Sequence, residues 1–396
     1  MPHQRSRHIL ALLEKRLKLF SVVGILGARQ TGKSTLLREL LPALRKTVYV
    51  TLDRDEIKNL ALKQPTLFLQ NLEEPSVKTV CIDEVQKAPV LFDTIKAEVD
   101  EKKRPGRFAI SGSTEFSKKT GIQDSLTGRI SLLRMFSLNL SEITDSAPAY
   151  ALTNPEKNLS KKNSIKLRDV QMWLERGGMP GMFSVRDQNS REALFESWLE
   201  TTCTRDLAQF NIPRFNPDLA RRILLTIANV RTPNRTEIAR EVGKTPRQIE
   251  NYFQAFKALF VIYEIEPYKT SVGKPLFYLF DAGIAAFAGA DINRRLQIWF
   301  LNECLSQFSY SGTMRPDLFY YESSRGSRMD FIVESKNIKY AVQLCHQEAP
   351  DSYTLRTAEA FLLKHPEIPV YVAAPCLEIH RLKSVLKIVP WSLITV

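Results

Sequence analysis

One loop in the chain combines residue types and spacing that can bind phosphate. The segment 27–34 fits the pattern Gly-x4-Gly-Lys-Ser/Thr. Backbone N–H groups of such a loop surround one point at the N-terminus of a helix, where the helix dipole adds positive potential. We expect Lys33 to bind the β- and γ-phosphates of ATP and the Ser34 hydroxyl to bind Mg²⁺. The predicted nucleotide-binding residues are Gly27, Gly32, Lys33, Ser34 and Thr35.

The sequence on both sides of this loop supports the prediction. Residues 20–26 are mostly apolar and rich in β-branched side chains, which predicts a buried strand. Residues 34–41 repeat apolar side chains at helical spacing. The alternative is a Gly/Ser loop that matches the pattern by chance, and a strand before it and a helix after it argue against that alternative.

Two adjacent acids, Asp83 and Glu84, follow a second apolar strand at 79–82. Strands that alternate with helices predict a parallel sheet, whose chemistry collects at the carboxyl ends of the strands. We expect Asp83 to hold Mg²⁺ and Glu84 to polarise the water that attacks the γ-phosphorus. The alternative is an Asp-Glu pair that caps the next helix, which is common in isolation.

Two further residues are candidates for the same chemistry. Ser113 follows the strand at 107–110 and could sense the γ-phosphate or fix the water, as could Thr114, although Ser-Gly-Ser is also ordinary turn sequence. Arg129 could reach the charge that develops on the phosphoryl oxygens, in its own or in a neighbouring subunit. Taken alone, Arg129 would be an ordinary surface arginine.

Length and composition limit the class of protein. A chain of 396 residues predicts two or three domains. No apolar run is long enough to cross a bilayer, which predicts no membrane partner. The five cysteines are dispersed, odd in number and without a Cys-x-x-Cys pair. We therefore expect a reduced, cytoplasmic compartment and no zinc site.

The net charge of +13 is concentrated in parts of the chain. Residues 1–50 contain ten Lys/Arg and two Asp/Glu, and residues 211–257 contain nine and four. A local surplus of this kind suits a polyanion partner, and the alternative is a solvated basic surface.

The second surplus coincides with a predicted helix-turn-helix. Helical patterns at 236–242 and 245–253 are joined by a turn at Gly243, and the segments 260–265 and 277–280 read as the strands of a wing. In DNA-binding proteins of this type the second helix enters the major groove. The alternative is a winged helix that docks a protein. The residues predicted to face double-stranded DNA are Arg247, Gln248 and Asn251.

The order of these motifs resembles that of the AAA-superfamily P-loop ATPases of bacteria and archaea that carry a winged helix and a C-terminal domain similar to PD-(D/E)xK nucleases. The resemblance covers nearly the whole chain and is carried by 83–89, Gly112-Ser113 and 126–129. It implies ATP and Mg²⁺ as cofactors, sensing by Ser113 and an arginine-finger role for Arg129.

The resemblance also implies an α/β fold in four parts. These are an AAA-type P-loop ATPase domain with a parallel sheet at 1–145, a linker or lid at 146–190, a helical and winged-helix domain at 191–290 and a small nuclease-like domain at 291–396.

The nuclease-like part departs from the pattern that such enzymes need. Glu303 and Asp330 occupy the acidic positions, but the Glu-x-Lys position reads Gln343-Leu344-Cys345. Metal-dependent cleavage needs acids for Mg²⁺ and a lysine to orient the water, so we expect a degenerate scaffold. The lysines that could replace the missing one are Lys336 and Lys339.

The sequence thus predicts an ATP-hydrolysing AAA-type switch or motor that acts with double-stranded DNA and assembles as a homo-oligomer. One alternative is an ATP-gated nuclease, which Gln343 and Cys345 argue against. Another is a regulator that binds ATP without hydrolysis and docks proteins through the winged helix, which the intact acids Asp83 and Glu84 argue against.

Overall fold

The computed structural model describes residues 5–115, 128–148, 150–159, 166–391 and 394. Its contacts divide the chain into two units. The N-terminal unit comprises Arg7–Phe136 with Ala258–Phe260, and the C-terminal unit comprises Ser137–Lys257, the chain from Val261, and Arg5 and Ser6. The main boundary therefore falls between Phe136 and Ser137, before the predicted end of the first domain at residue 145.

A five-stranded parallel sheet forms the centre of the N-terminal unit. Its strands are β1 (Val22–Leu26), β2 (Thr47–Thr51), β3 (Thr79–Asp83), β4 (Phe108–Gly112) and β5 (Ile130–Arg134). All pairings are parallel, in the order β2-β3-β4-β1-β5. Strands β1, β3 and β4 are buried along their whole length, which explains their nearly continuous apolar sequences. The predicted α/β class with a parallel sheet is confirmed.

Helices connect these strands. They are α1 (Ile9–Leu17), α2 (Lys33–Thr35), α3 (Asp55–Lys63), α4 (Pro65–Gln70) and α5 (Leu91–Glu101). After α2 the helical path continues through a π-helical turn at Leu36–Leu40 and a 3₁₀ turn at Leu41–Ala43. The strand order places β4 between β1 and β3. The end of β4 therefore lies between the phosphate loop, which follows β1, and the two acids at the end of β3.

Most helices of the C-terminal unit precede its strands, and the others lie between strands. The helices are α6 (Leu140–Ile143), α7 (Pro155–Asn158), α8 (Leu167–Arg176), α9 (Pro180–Phe183), α10 (Gln188–Thr201), α11 (Pro217–Asn229), α12 (Arg235–Glu241), α13 (Pro246–Ala258), α14 (Ala282–Phe287), α15 (Ile292–Tyr310) and α16 (Ser352–Lys364). Among the residues described, no helix has both the length and the apolar composition that a bilayer span requires.

An eight-stranded mixed sheet runs through the rest of this unit. Its strands are β6 (Ile262–Pro267), β7 (Leu276–Leu279), β8 (Asp317–Glu322), β9 (Arg328–Ser335), β10 (Ile338–Leu344), β11 (Val370–Ala374), β12 (His380–Lys383) and β13 (Leu386–Pro390). The order is β12-β13-β11-β10-β9-β8-β6-β7. The antiparallel pair β6–β7, predicted as a wing, joins this sheet through the pairing of Glu266 with Phe319 and of Pro267 with Tyr320. One sheet thus continues across the predicted boundary at 290/291.

The glycine turn before α9 has a packing reason. Gly177 has φ 71°, and a Cβ atom there would lie 1.9 Å from Oδ1 of Asp281. Asp281 is fully buried, and its carboxylate accepts hydrogen bonds from the backbone N–H groups of Gly178 (2.8 Å) and Gly283 (2.9 Å). A side chain at 177 would displace this carboxylate, so the Gly-Gly-x-Pro sequence serves the fold of the C-terminal unit.

Candidate functional site

The phosphate loop leaves the end of β1 and enters α2. Gly32 has φ 98° and Gln30 has φ 61°, so two residues of the loop adopt left-handed backbone conformations. Turns of this kind let neighbouring N–H groups point toward one anion. A Cβ atom at Gly27 would lie 2.2 Å from the backbone oxygen of Met135. Only glycine fits at that position, because the segment that follows β5 packs directly against it.

Lys33 is 4% exposed, and its ammonium donates hydrogen bonds to the carbonyl oxygens of Gly27 (2.9 Å) and Ala28 (2.7 Å). Burial lowers the pKa of Lys33 to about 8, although the negative charges of Glu84 and Asp83 act to raise it. Both carboxylates are therefore close enough to influence the ammonium. Ser34 and Thr35 follow in α2 and are half-buried.

Neighbouring strands hold the carboxylate of Asp83 in one orientation. The Tyr49 hydroxyl, from β2, donates to Oδ2 (2.8 Å), and the Ser111 hydroxyl, from β4, donates to Oδ1. Burial and the charge of Asp83 raise the pKa of Tyr49, so this phenol remains a donor. Asp83 is buried, and the donors in these two bonds are neutral hydroxyls. They do not neutralise the carboxylate, so its negative charge is available to a divalent metal.

Glu84 has an unusual backbone and a defined set of partners. Its φ of 56° and ψ of 41° are left-handed, a conformation that costs a non-glycine residue about 1–3 kcal/mol. The buried carboxylate accepts hydrogen bonds from Ser113 (3.1 Å) and from Gln86. The Gln86 amide also donates to the Ser113 hydroxyl (3.1 Å). The strained backbone thus places Glu84 in a cluster with Ser113 at the end of the adjacent strand.

The amide oxygen of Gln86 is buried and has no hydrogen-bond partner within the described residues. Buried polar atoms of this kind need an explanation, and a water molecule is an ordinary one. The oxygen belongs to the same cluster as the Glu84 carboxylate. This chemistry suits a water held between an amide acceptor and a carboxylate acceptor.

Arg129 lies at the amino-terminal ends of the strands, opposite the ends that carry the phosphate loop and the two acids. It precedes β5, and its carbonyl accepts a hydrogen bond from Val22, the first residue of β1. Its guanidinium forms two bonds to the carboxylate of Asp100 in α5, of 2.6 and 2.9 Å. The phosphate loop follows the last residue of β1, and a five-residue strand spans about 16 Å. The structure therefore does not bring Arg129 to the phosphate loop of its own chain. Leu126 and Thr127 of the same motif lie outside the described residues.

The structure adds supporting residues that were not predicted from the sequence. Tyr49 and Ser111 orient Asp83, and Gln86 contacts Glu84. Ser111 and Gln86 are polar side chains near the end of an apolar strand, and this is the signal that could have identified them. Tyr49 lies in the middle of β2, and its position carries no such signal. Arg134 is a further cation at the end of β5, beside the last residue of β1, and its guanidinium lies 5.2 Å from the ring centre of Phe136.

The predicted DNA-facing residues lie at the exposed start of α13. Arg247 and Asn251 are both exposed and are separated by one helical turn, so they share a face. Gln248 is exposed as well, but its side-chain oxygen accepts a hydrogen bond from the backbone N–H of Thr245 (2.9 Å) and stabilises the start of the helix. Arg247 and Asn251 are therefore more available to a ligand than Gln248.

Protein donors surround the acid at the nuclease-like position. The carboxylate of Asp330 accepts hydrogen bonds from the side chains of Gln297 (2.7 Å) and Gln343 (2.9 Å) and from the N–H of Leu344 (2.8 Å). Burial raises the pKa of Asp330. The carboxylate is thus occupied by amides, in an environment that disfavours its charged form.

Glu303 does not complete a pair with Asp330. Its carboxylate accepts hydrogen bonds from the N–H of Leu140 (2.7 Å) and from Gln307 (3.3 Å), and burial raises its pKa to about 8. In the described part of the chain, no three His, Cys, Asp or Glu side chains form a group that could hold a metal. Of the two candidate lysines, Lys339 forms an ion pair with Glu334 (3.1 Å).

Two protein family models match parts of the chain. Residues 20–144 match the family model of an AAA domain, and residues 167–294 match the model of a domain of unknown function. The AAA match contains the phosphate loop, Asp83, Glu84 and Ser113, and it supports ATP binding and hydrolysis. The second match contains the predicted helix-turn-helix.

Related proteins extend over most of the chain. Two uncharacterized proteins, from Mycobacterium bovis and Mycobacterium tuberculosis, are each 25% identical over 367 residues, which cover 89% of this chain and 76% of theirs. Among solved structures, a Walker-type ATPase of Pyrococcus abyssi is similar at 15% identity and a TM-score of 0.43, over 72% of this chain and 95% of that chain. PCH-2 of C. elegans is similar at 13% identity and a TM-score of 0.25, over 63% and 66%.

The buried ammonium of Lys33 predicts a pH dependence of nucleotide binding. Without nucleotide its pKa is about 8, whereas bound phosphate stabilises the charged form and raises the pKa. Affinity for ATP should therefore be greatest below pH 8 and fall above it, by up to about tenfold per pH unit. Titration calorimetry between pH 7 and pH 9.5 measures this change together with the proton uptake.

Lys33→Arg is the matched control, because a guanidinium stays charged over this pH range. Its residual binding should be weaker and should not decline above pH 8. A wild-type affinity that is constant up to pH 9.5 would contradict the assignment of the buried ammonium as the phosphate ligand.

Proposed function

We propose that this protein is an ATP-hydrolysing AAA-type switch in which Glu84 activates the attacking water, and that it acts with double-stranded DNA. The observation that carries the proposal is the buried cluster of Glu84, Ser113 and Gln86 at the strand ends, close enough to Lys33 for the carboxylate to influence its ammonium. A carboxylate held in this way can accept a proton from water beside the γ-phosphate.

The remaining residues have complementary roles in this proposal. The loop N–H groups and Lys33 bind the phosphates, and Ser34 and Asp83 supply the oxygen ligands that Mg²⁺ prefers. Mg²⁺ held by Ser34 and Asp83 would supply positive charge to offset the negative charge that develops during phosphoryl transfer. Ser113 and Gln86 orient the carboxylate of Glu84 and the water, so that the nucleophile is positioned before the reaction starts.

The proposed DNA surface is the exposed face of α13. Arg247 and Asn251 lie together there, and the surrounding segment 211–257 has a surplus of positive charge. A guanidinium and an amide side chain on one helix face can read base edges in the major groove, and the surrounding cations can bind phosphates.

A second candidate is a switch that docks a protein through the same region. The strand pair β6–β7 belongs to the large sheet, and the segment beyond β6 is tied to it by a hydrogen bond from the N–H of Val272 to the oxygen of Glu322 (2.9 Å). A wing held in this way cannot follow a DNA groove independently. The nuclease alternative is disfavoured, because the donors around Asp330 occupy the carboxylate that a metal would need.

The catalytic role of Glu84 predicts separable effects on binding and turnover. Glu84→Gln keeps the shape of the side chain and one acceptor oxygen but cannot accept the proton. It should bind ATP as wild type does and hydrolyse it at least about 10²-fold more slowly. ATP turnover is measured with Mg²⁺, with and without double-stranded DNA. Glu56→Gln makes the same change at an exposed residue of α3 and should retain activity. Wild-type turnover in Glu84→Gln would show that another group activates the water.

Arg129 can contribute to hydrolysis only from a neighbouring subunit. Within its own chain it lies at the amino-terminal ends of the strands, and the phosphate loop lies at their carboxyl ends. Specific ATPase activity should then rise with protein concentration, and Arg129→Ala should reduce turnover at least about tenfold while ATP binding persists. Arg104→Ala is the control, because Arg104 is another exposed arginine that precedes a strand of this sheet. Mixing Arg129→Ala with Glu84→Gln should restore activity at mixed interfaces. Normal turnover in Arg129→Ala would show that this residue has no part in hydrolysis.

DNA binding through α13 should be sensitive to salt and to the charge of Arg247. Counterion release makes affinity fall steeply as salt rises, and Arg247→Glu should weaken binding at least about tenfold at low salt. Arg168→Glu applies the same charge change to an exposed arginine of α8 and should have a small effect. Fluorescence anisotropy with labelled duplex DNA at several salt concentrations measures both. Binding that ignores salt, or that is equal in the two variants, would favour protein docking.

A further inference from the structure

A buried arginine near the N-terminus contacts the phosphate loop. We infer that Arg7 is a positioning residue that fixes the peptide between Thr31 and Gly32 in the orientation that phosphate binding needs. The inference rests on the proposed nucleotide-binding function of this loop, and it adds a residue outside the loop motif and outside the segment that matches the AAA family.

The contacts of Arg7 are specific. Its side chain is 6% exposed, and its guanidinium donates one hydrogen bond to the carbonyl oxygen of Thr31 and another to the carbonyl oxygen of Phe136 (2.8 Å). Hydrogen bonds from a charged donor are about twice as strong as neutral ones. The planar guanidinium can serve two acceptors at once, which a single ammonium does less well.

The bond to Thr31 controls the next N–H group. In a trans peptide the C=O of one residue and the N–H of the next point in opposite directions. A carbonyl of Thr31 held toward Arg7 therefore aims the N–H of Gly32 away from Arg7. Gly32 has φ 98°, and because glycine tolerates many backbone angles, this peptide has little intrinsic preference for one orientation. Arg7 supplies the preference.

The bond to Phe136 connects the loop to a fixed segment. The N–H of Met135 donates to the carbonyl of Leu26 (2.7 Å), which extends the pairing at the end of β1. The backbone oxygen of Met135 is also the atom that excludes a side chain at Gly27. The loop is thus held against residues 135–136 at both ends, at its start by packing and at its end through Arg7.

The test compares affinities for ATP and ADP in full-length protein carrying single substitutions. Arg7→Gln keeps a polar side chain but loses the positive charge and the guanidinium that donates to two carbonyl oxygens. This variant should bind both nucleotides at least about tenfold more weakly. Arg7→Lys keeps the charge and can reach one carbonyl, so its affinity should lie between those of Arg7→Gln and wild type.

Leu12→Ala controls for stability, because Leu12 is a buried residue of α1 that is not part of the loop. It should lower the melting temperature and leave nucleotide affinity unchanged when measured well below that temperature. If Arg7→Gln behaves like Leu12→Ala, with reduced stability and wild-type affinity, the inference is wrong and Arg7 serves the fold alone. A wild-type protein that binds no nucleotide would overturn the proposed function and, with it, this inference. Tight wild-type binding with an equally tight Arg7→Gln would overturn the inference only.

Discussion

The burial of one positive charge among peptide carbonyls is the constraint on which the candidate site depends. The Lys33 ammonium donates to the carbonyl oxygens of Gly27 and Ala28 and is almost fully removed from solvent. Burying a charge is costly unless nearby groups compensate it. Here carbonyl dipoles and the charges of Asp83 and Glu84 do so in part. A bound polyphosphate would place negative charge at the ammonium and so stabilise its charged form.

The strand order determines which residues can share this environment. Strand β4 separates β1 from β3, so the hydroxyls of Ser111 and Ser113 lie between the loop and the acids. Ser111 orients one carboxylate and Ser113 the other. The same parallel arrangement places Arg129 at the far edge of the sheet. A parallel sheet therefore collects the candidate reactive groups at the carboxyl ends of its strands.

The C-terminal unit shows how protein donors compensate a buried carboxylate at the position predicted to be nuclease-like. Gln343 stands where the pattern has an acid, and its amide hydrogen-bonds to Asp330 instead of sharing a metal with it. A buried carboxylate needs donors once no metal compensates its charge, and Gln297 and the backbone N–H of Leu344 complete the set. The hydrogen bonds from the two side-chain amides to Asp330 connect α15, β9 and β10.

Much of the N-terminal unit could be predicted from the sequence, because the strong signals there are local. A glycine-rich loop between a buried strand and a helix is contiguous in the chain, and the buried strands appear as short apolar runs bounded by polar residues. The positions of Asp83, Glu84 and Ser113 at strand ends follow from that periodicity. These features depend on residues close in sequence, whose side chains and spacing allow few local backbone conformations.

Only the tertiary structure decided the strand order and the contacts between distant residues, because these depend on pairings between segments far apart in the sequence. Sequence does not specify the order of strands, so it left open whether Arg129 faces its own loop, and it gave no indication that Arg7 reaches Thr31. The continuation of β6 and β7 into the large sheet is likewise a long-range pairing, which local periodicity cannot distinguish from a separate wing. Backbone strain at Glu84 is visible only in three dimensions, since the surrounding structure imposes it. Local sequence thus determined the types of element and the reactive groups, and the packing of distant elements determined which of those groups meet.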